Sequence, residues 1–149
     1  MLFPLHLELT GKRVLVVGGG PVAVRRARAA HACGADVLMV ALDAPEGLPF
    51  PVARRSFAPA DLDGAWLVLT CTGTVDEEVA DLCRAQRLWC VRSDDHRSSD
   101  AWVPAVMRVD EVVVSITSGR DPRRSVRLRD TLVARWRELD GGPSQGGRP

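Results

Sequence analysis

Short, wholly apolar runs alternate along this chain with segments whose apolar residues return every three or four positions. The first run, Arg13–Val17 (RVLVV), stops at three glycines. That is the pattern of a strand buried on both faces of a parallel sheet. Over Pro21–Cys33, Ala23, Ala27 and Ala30 recur at helical spacing while Arg25, Arg26 and Arg28 fall elsewhere. Pro21 suits a first helical turn, where its missing N–H costs nothing, and Gly34 ends the helix. Asp36–Leu42 (DVLMVAL) reads as the second strand, closing a βαβ unit of about 30 residues with a right-handed crossover.

The proline-rich Ala44–Pro51 predicts a loop, and Val52–Phe57 an edge strand. Ala65–Cys71 (AWLVLTC) is another buried strand, and Val75, Val79 and Leu82 mark one face of a helix over Asp76–Gln86. Leu88–Arg92 is a strand and Ser93–Ser99 (SDDHRSS) a polar loop. Trp102–Met107 and Glu111–Ile116 suggest one or two closing strands. Val126, Leu132, Val133, Trp136 and Leu139 stripe a last helix over Arg123–Leu139. Alternating strands and helices predict a Rossmann-type α/β fold: an open, mostly parallel sheet with helices on both faces, plus a short C-terminal extension. The expected division is a dinucleotide-binding domain over 1–110, a strand and helix over 111–140, and a disordered low-complexity tail over 141–149.

Composition changes this picture little. The 149 residues are 46% hydrophobic and 26% charged, as in a soluble globular domain. The formal charge of +1 offers no global field for nucleic acid. No run reaches the roughly 20 apolar residues of a membrane span. The start, MLFPLHLELTG, lacks a basic region and a long apolar core, so a cytoplasmic protein is expected. Cys33, Cys71, Cys83 and Cys90 form no CxxC pair and no zinc-like spacing, so they read as reduced thiols and no metal site is assigned. The four tryptophans stand in or beside apolar patterns and read as core.

Three segments carry candidate chemistry. Gly18-Gly19-Gly20-Pro21-Val22-Ala23 is a G-x-G-x-x-A pattern that follows a strand and opens a helix. Gly18 permits the tight turn, Gly20 lets the backbone approach a pyrophosphate, and Ala23 keeps the helix close to the strand. The N-terminus of the helix then faces the phosphate. Gly18, Gly20, Pro21, Val22 and Ala23, with Thr72 after the next buried strand, make the expected dinucleotide site. Asp43, about two residues past the usual place for a ribose-binding acid, is either that acid or a solvated loop residue. Ser93-Asp94-Asp95-His96 lies beyond a strand's carboxyl end, where it suits proton transfer, cation binding or a plain polar turn. Ser118, Gly119, Arg120 and Arg123 flank a turn able to hold an anion, while Asp121 and Pro122 suit ordinary capping of the last helix.

Several segments together resemble one family. They are Phe3-Pro4-Leu5, Leu9-Thr10-Gly11-Lys12, Val14–Arg28, Gly34-Ala35-Asp36-Val37, Asp61–Val68, Asp94-Asp95 and Val103-Pro104-Ala105-Val106. Their order is similar to the precorrin-2 dehydrogenase and sirohydrochlorin ferrochelatase module of siroheme synthases, in a form shortened at its C-terminus. The resemblance implies NAD-dependent oxidation of precorrin-2 to sirohydrochlorin, with insertion of Fe²⁺ in many members. It implies that Asp94, ten residues before Pro104, is the catalytic residue. It also implies a tetrapyrrole substrate, with Ser118, Gly119, Arg120 and Arg123 as substrate-binding candidates. A non-catalytic or repurposed member of the fold is the alternative. The sequence departs from the family's pattern at Val91-Arg92-Ser93, where Asn-Val-Val is usual, and at Thr72-Gly73, where Thr-Asp is usual. An apolar face with Leu132 and Trp136 on the last helix, with little chain after it, predicts a homodimer.

Overall fold

The computed structural model describes residues 2–119 and 121–140. They fall into two compact units, one running through Trp102 and one starting at Val103.

In the first unit five parallel strands lie in the order β3-β2-β1-β4-β5. They are β1 (Arg13–Val17), β2 (Asp36–Val40), β3 (Val52–Ala53), β4 (Leu67–Thr70) and β5 (Trp89–Arg92). The strand β1 is central, and Val14–Val17 are all buried because both faces are covered. Val14 and Val16 pack with Val37, Met39, Leu67 and Leu69 under helix α1 (Pro21–Ala32). Leu15 and Val17 pack with Val40 and Val68 under helix α2 (Asp76–Ala85). Burying each such side chain stabilises by about 1.5–3 kcal/mol. Helix α1 meets the sheet through Ala23, Ala27 and Ala30, side chains small enough to bring its axis close.

Several boundaries differ from the periodicity. β2 ends at Val40, and Leu42 is 76% exposed, so the apolar run outlasts the strand by two residues. The edge strand expected through Phe57 contains only Val52 and Ala53. Beyond it Arg54 and Arg55 leave the sheet to pair with Glu46 and Asp61. Trp66 and Trp89 are not core residues: they are 38% and 41% exposed and stack on each other with ring centroids 6.2 Å apart. They sit at the amino ends of β4 and β5, past the cover of the helices, and Lys12 Nζ lies 5.0 Å from the Trp66 ring. Cys83 and Cys90 are buried while Cys33 and Cys71 are half-buried, all four as free thiols.

In the second unit β6 (Ala105–Val109) and β7 (Val112–Ile116) form a separate antiparallel hairpin rather than extending the parallel sheet. Asp110 supplies the positive φ of 51° that a two-residue turn needs. Helix α3 (Pro122–Asp140) packs on both strands. The tail expected over 141–149 lies outside the described residues.

Candidate functional site

The chain runs from β1 to β2 on one side and later returns to β4 on the other. Open α/β sheets take ligands in the crevice beyond the strand ends at such a switch point. A cleft of about 390 Å³ opens there.

The fold itself requires glycine at two of the three positions in its floor, Gly18 and Gly19. Gly18 has φ +116°, and a Cβ on it would stand 2.7 Å from the Cys71 carbonyl oxygen. Its N–H donates to the Val40 carbonyl at 2.9 Å. A Cβ on Gly19 would stand 1.8 Å from the Asp43 carbonyl oxygen, so the loop after β2 rests directly on this residue. A Cβ on Gly20 would meet nothing within 4 Å; it would project into open space. Gly20 also caps α1 without a side chain, and the first turn of α1 carries no acid. Its unpaired N–H groups and partial positive charge are therefore presented to an anion. Pro21 and Val22 are exposed at this turn, with Ala23 buried beneath them.

Asp43 lines the opposite wall with Leu42 and Phe57. Both nearby arginines are engaged within the unit. Arg54 donates to Glu46 at 2.6 Å and to the Ala44 carbonyl at 2.9 Å. Arg55 forks onto Asp61 at 2.5 and 2.8 Å.

The third wall is the turn from Cys71 to Val75, built on a residue that periodicity and motif do not single out. Asp76 is 1% exposed and sits at the start of α2. Its carboxylate accepts hydrogen bonds from the Thr72 N–H at 2.9 Å, the Thr72 hydroxyl at 2.7 Å and the Gly73 N–H at 2.8 Å. The Thr70 hydroxyl donates to it as well. Burial alone would raise its pKa, but these donors outweigh burial and hold the carboxyl below the usual range. Thr72 Oγ1 in turn accepts from the N–H groups of Thr74 and Val75 at 3.1 Å. The hydroxyl of Thr72, a residue of the cleft wall, is therefore fully used inside the turn. The clue in the sequence is Thr70-x-Thr72-Gly73 just ahead of the acid that opens a helix.

Asp94 stands on the loop after β5, at the carboxyl edge of the same sheet but not among the residues of the cleft wall. Arg92, 9% exposed, grips it with a two-bond fork of 3.0 and 2.7 Å. That fork holds the Asp94 carboxyl below the ordinary range. Asp95 caps its own turn at the surface, accepting from the Arg97 N–H at 2.9 Å and the Ser98 hydroxyl at 2.8 Å.

Ser118, Gly119 and Arg123 belong to the second unit; Arg120 lies outside the described residues. Ser118 donates from its N–H to Ser125 Oγ at 3.0 Å and from its hydroxyl to the Asp121 carbonyl at 2.8 Å. Asp121 Oδ1 accepts the Arg124 N–H at 2.9 Å, an ordinary N-terminal cap. Among the described residues no helix is long and apolar enough to cross a membrane, and no three metal-ligating side chains cluster.

Residues 5–105 match a protein family described as "Putative NAD(P)-binding". The chain is 34% identical over 142 residues to siroheme synthase 1 of Aeromonas hydrophila, and 30% identical over 139 residues to siroheme synthase 2 of Klebsiella pneumoniae. These alignments cover 88% and 87% of the chain but 30% of each relative, so the chain spans under a third of their length. The fold is similar to that of SirC, a precorrin-2 dehydrogenase, with a TM-score of 0.74 at 22% identity, covering 89% of this chain and 70% of that one.

Proposed function

This chain belongs to the NAD(P)-binding family, and from that premise we propose that it is a dehydrogenase that uses NAD⁺ to oxidise precorrin-2 to sirohydrochlorin. The observation that carries the nucleotide part is the uncapped, acid-free N-terminus of α1 beside the open space at Gly20. The residues fit the group. The diphosphate would lie on the N–H groups that follow Gly20, the adenosine ribose beside Asp43, and the rest of the molecule along the Cys71–Thr72 wall. When bound, NAD⁺ supplies a hydride acceptor. Asp94 is ionised at neutral pH, as a proton acceptor must be, and stands at the carboxyl edge of the sheet where the redox end of the nucleotide would reach. Loss of a hydride and a proton from the macrocycle then balances the oxidation. Support for the substrate comes from the siroheme synthase relatives and from the likeness to SirC. Incubating the chain with precorrin-2 and NAD⁺ tests the reading through formation of sirohydrochlorin and NADH in equimolar amounts, each followed by its own absorbance. Repeating the incubation with Fe²⁺ as a second substrate tests chelation.

A second reading, nucleotide binding without turnover, is favoured by the Arg92 fork, which lowers the basicity of Asp94. NADH binding with no sirohydrochlorin formed would establish it.

Titration calorimetry is expected to show NAD⁺ binding more tightly than NADP⁺. Asp43 would repel a 2′-phosphate, and Arg54 and Arg55 are already paired. Tighter NADP⁺ binding would overturn the ribose assignment. Gly20→Val is expected to weaken both nucleotides by about tenfold to a hundredfold, because its side chain enters the space reserved for the diphosphate. Unchanged affinity would remove the diphosphate from this loop.

The homodimer would form through the second unit, where Val126, Leu128, Leu132 and Val133 of α3 are 37–45% exposed. Light scattering at high micromolar concentration should give twice the chain mass. A monomer mass would rule the dimer out.

A further inference from the structure

The second turn of α1 meets the loops after β4 and β5 at a small polar cluster beside the cleft. Cys71 Sγ lies 2.8 Å from Ser93 Oγ. The positive charge of Arg26, on the facing turn of α1, pulls on the same thiol. Arg26 Nη1 is shut off from solvent and has no hydrogen-bond partner. Burial pushes the Cys71 pKa up, and the pull of Ser93 and Arg26 does not reverse this, so the thiol stays neutral and is not a counter-ion for Arg26. Among the described residues no carboxylate forms an ion pair with Arg26. A charged donor left unmade in a buried position is costly, and such groups call for a functional account.

The cluster's place supplies one. Arg26 stands five residues after Pro21, roughly 8 Å along the helix from the turn that would hold the diphosphate. Cys71 belongs both to this cluster and to the cleft wall. We propose that Arg26, with Ser93 and Cys71, forms a subsite for a planar carboxyl-type oxygen, which the guanidinium receives as a charge-assisted hydrogen bond. This rests on the nucleotide lying in the cleft as described above. The oxygen has two possible sources, the carboxamide of the nicotinamide or a carboxylate of the tetrapyrrole.

Arg26→Met removes the donor and keeps the length of the side chain. Its affinities for NAD⁺, ADP-ribose and uroporphyrin I, a stable polycarboxylate tetrapyrrole, are to be compared with those of the unaltered chain by calorimetry. A loss of about tenfold or more for NAD⁺, with ADP-ribose unchanged, assigns the site to the carboxamide. The same loss confined to uroporphyrin assigns it to a carboxylate. Equal losses for all three ligands, or none, overturn the inference. Retained binding of ADP-ribose shows that the cleft reading stands even where the inference fails. Should Arg26→Met not fold, the ¹⁵N signals of the Arg26 side chain are to be followed in the unaltered chain. A shift with NAD⁺ but not with ADP-ribose, or with uroporphyrin alone, supports the subsite. No shift with any of them overturns it.

Discussion

Asp94→Asn is expected to lower the turnover of precorrin-2 by about 10²–10⁴-fold while leaving the Kd for NAD⁺ within about twofold. The carboxylate does not line the cleft, so nucleotide affinity is expected to change little. The proposed oxidation removes a hydride and a proton, and the departing hydride would leave positive charge on the macrocycle. A carboxylate held by the Arg92 fork is a weak base but a well-fixed anion, and both roles vanish in the amide. Because the fork depresses the Asp94 pKa, kcat/KM should be flat through neutrality, with its acid limb below the ordinary carboxyl value of 3.8. Steady-state kinetics with a pH series checks both statements. A variant that works at near the unaltered rate would exclude Asp94, whereas an unaltered chain with no turnover would leave the binding reading standing.

Asp76→Asn is expected to cost about 2–4 kcal/mol of stability, lowering Tm by on the order of 10 °C. Asn can keep the bonds that Oδ1 accepts. Its amide nitrogen would replace Oδ2, however, and then face the Gly73 N–H donor to donor. The site is 1% exposed, so no solvent compensates. The folded-state pKa of Asp76 lies below its ordinary value of 3.8, so its contribution is complete above that value and fades as pH falls through the folded pKa. The gap between the two proteins in urea unfolding should therefore be full at pH 7 and narrow below pH 3.8. A gap that stays constant down to pH 2 would remove the carboxylate from this account.

The order of elements is legible in the sequence because buried parallel strands and an alanine-faced helix leave strong, different periods. The glycine loop is legible for the same reason, standing where the period changes. Asp76 is not, since an acid at a helix start looks alike whether it is solvated or closed over by Thr70 and Thr72. Nor is the Arg92–Asp94 fork, because alternation places Arg92 on a face of β5 without saying what lies across it. Trp66 and Trp89 mislead for a related reason: an apolar residue at the end of a buried strand can lie past the helices that would cover it. The hairpin of the second unit shares its alternating pattern with a strand added to the main sheet, and register alone separates the two.

The entropic cost of closing each seam of the sheet follows from its topology. Val14 pairs with Val37 on one side and with Leu67 on the other, 23 and 53 residues away along the chain. Closing the longer loop costs about 0.7 kcal/mol more in chain entropy, and nothing offsets that cost until β4 docks. The seam between β1 and β4 thus carries the larger closure cost, and the cleft lies across that seam. A half-folded chain has no cleft, so nucleotide acts as a ligand of the finished unit only. It draws the folding equilibrium toward the native state by mass action, without speeding the search that precedes it.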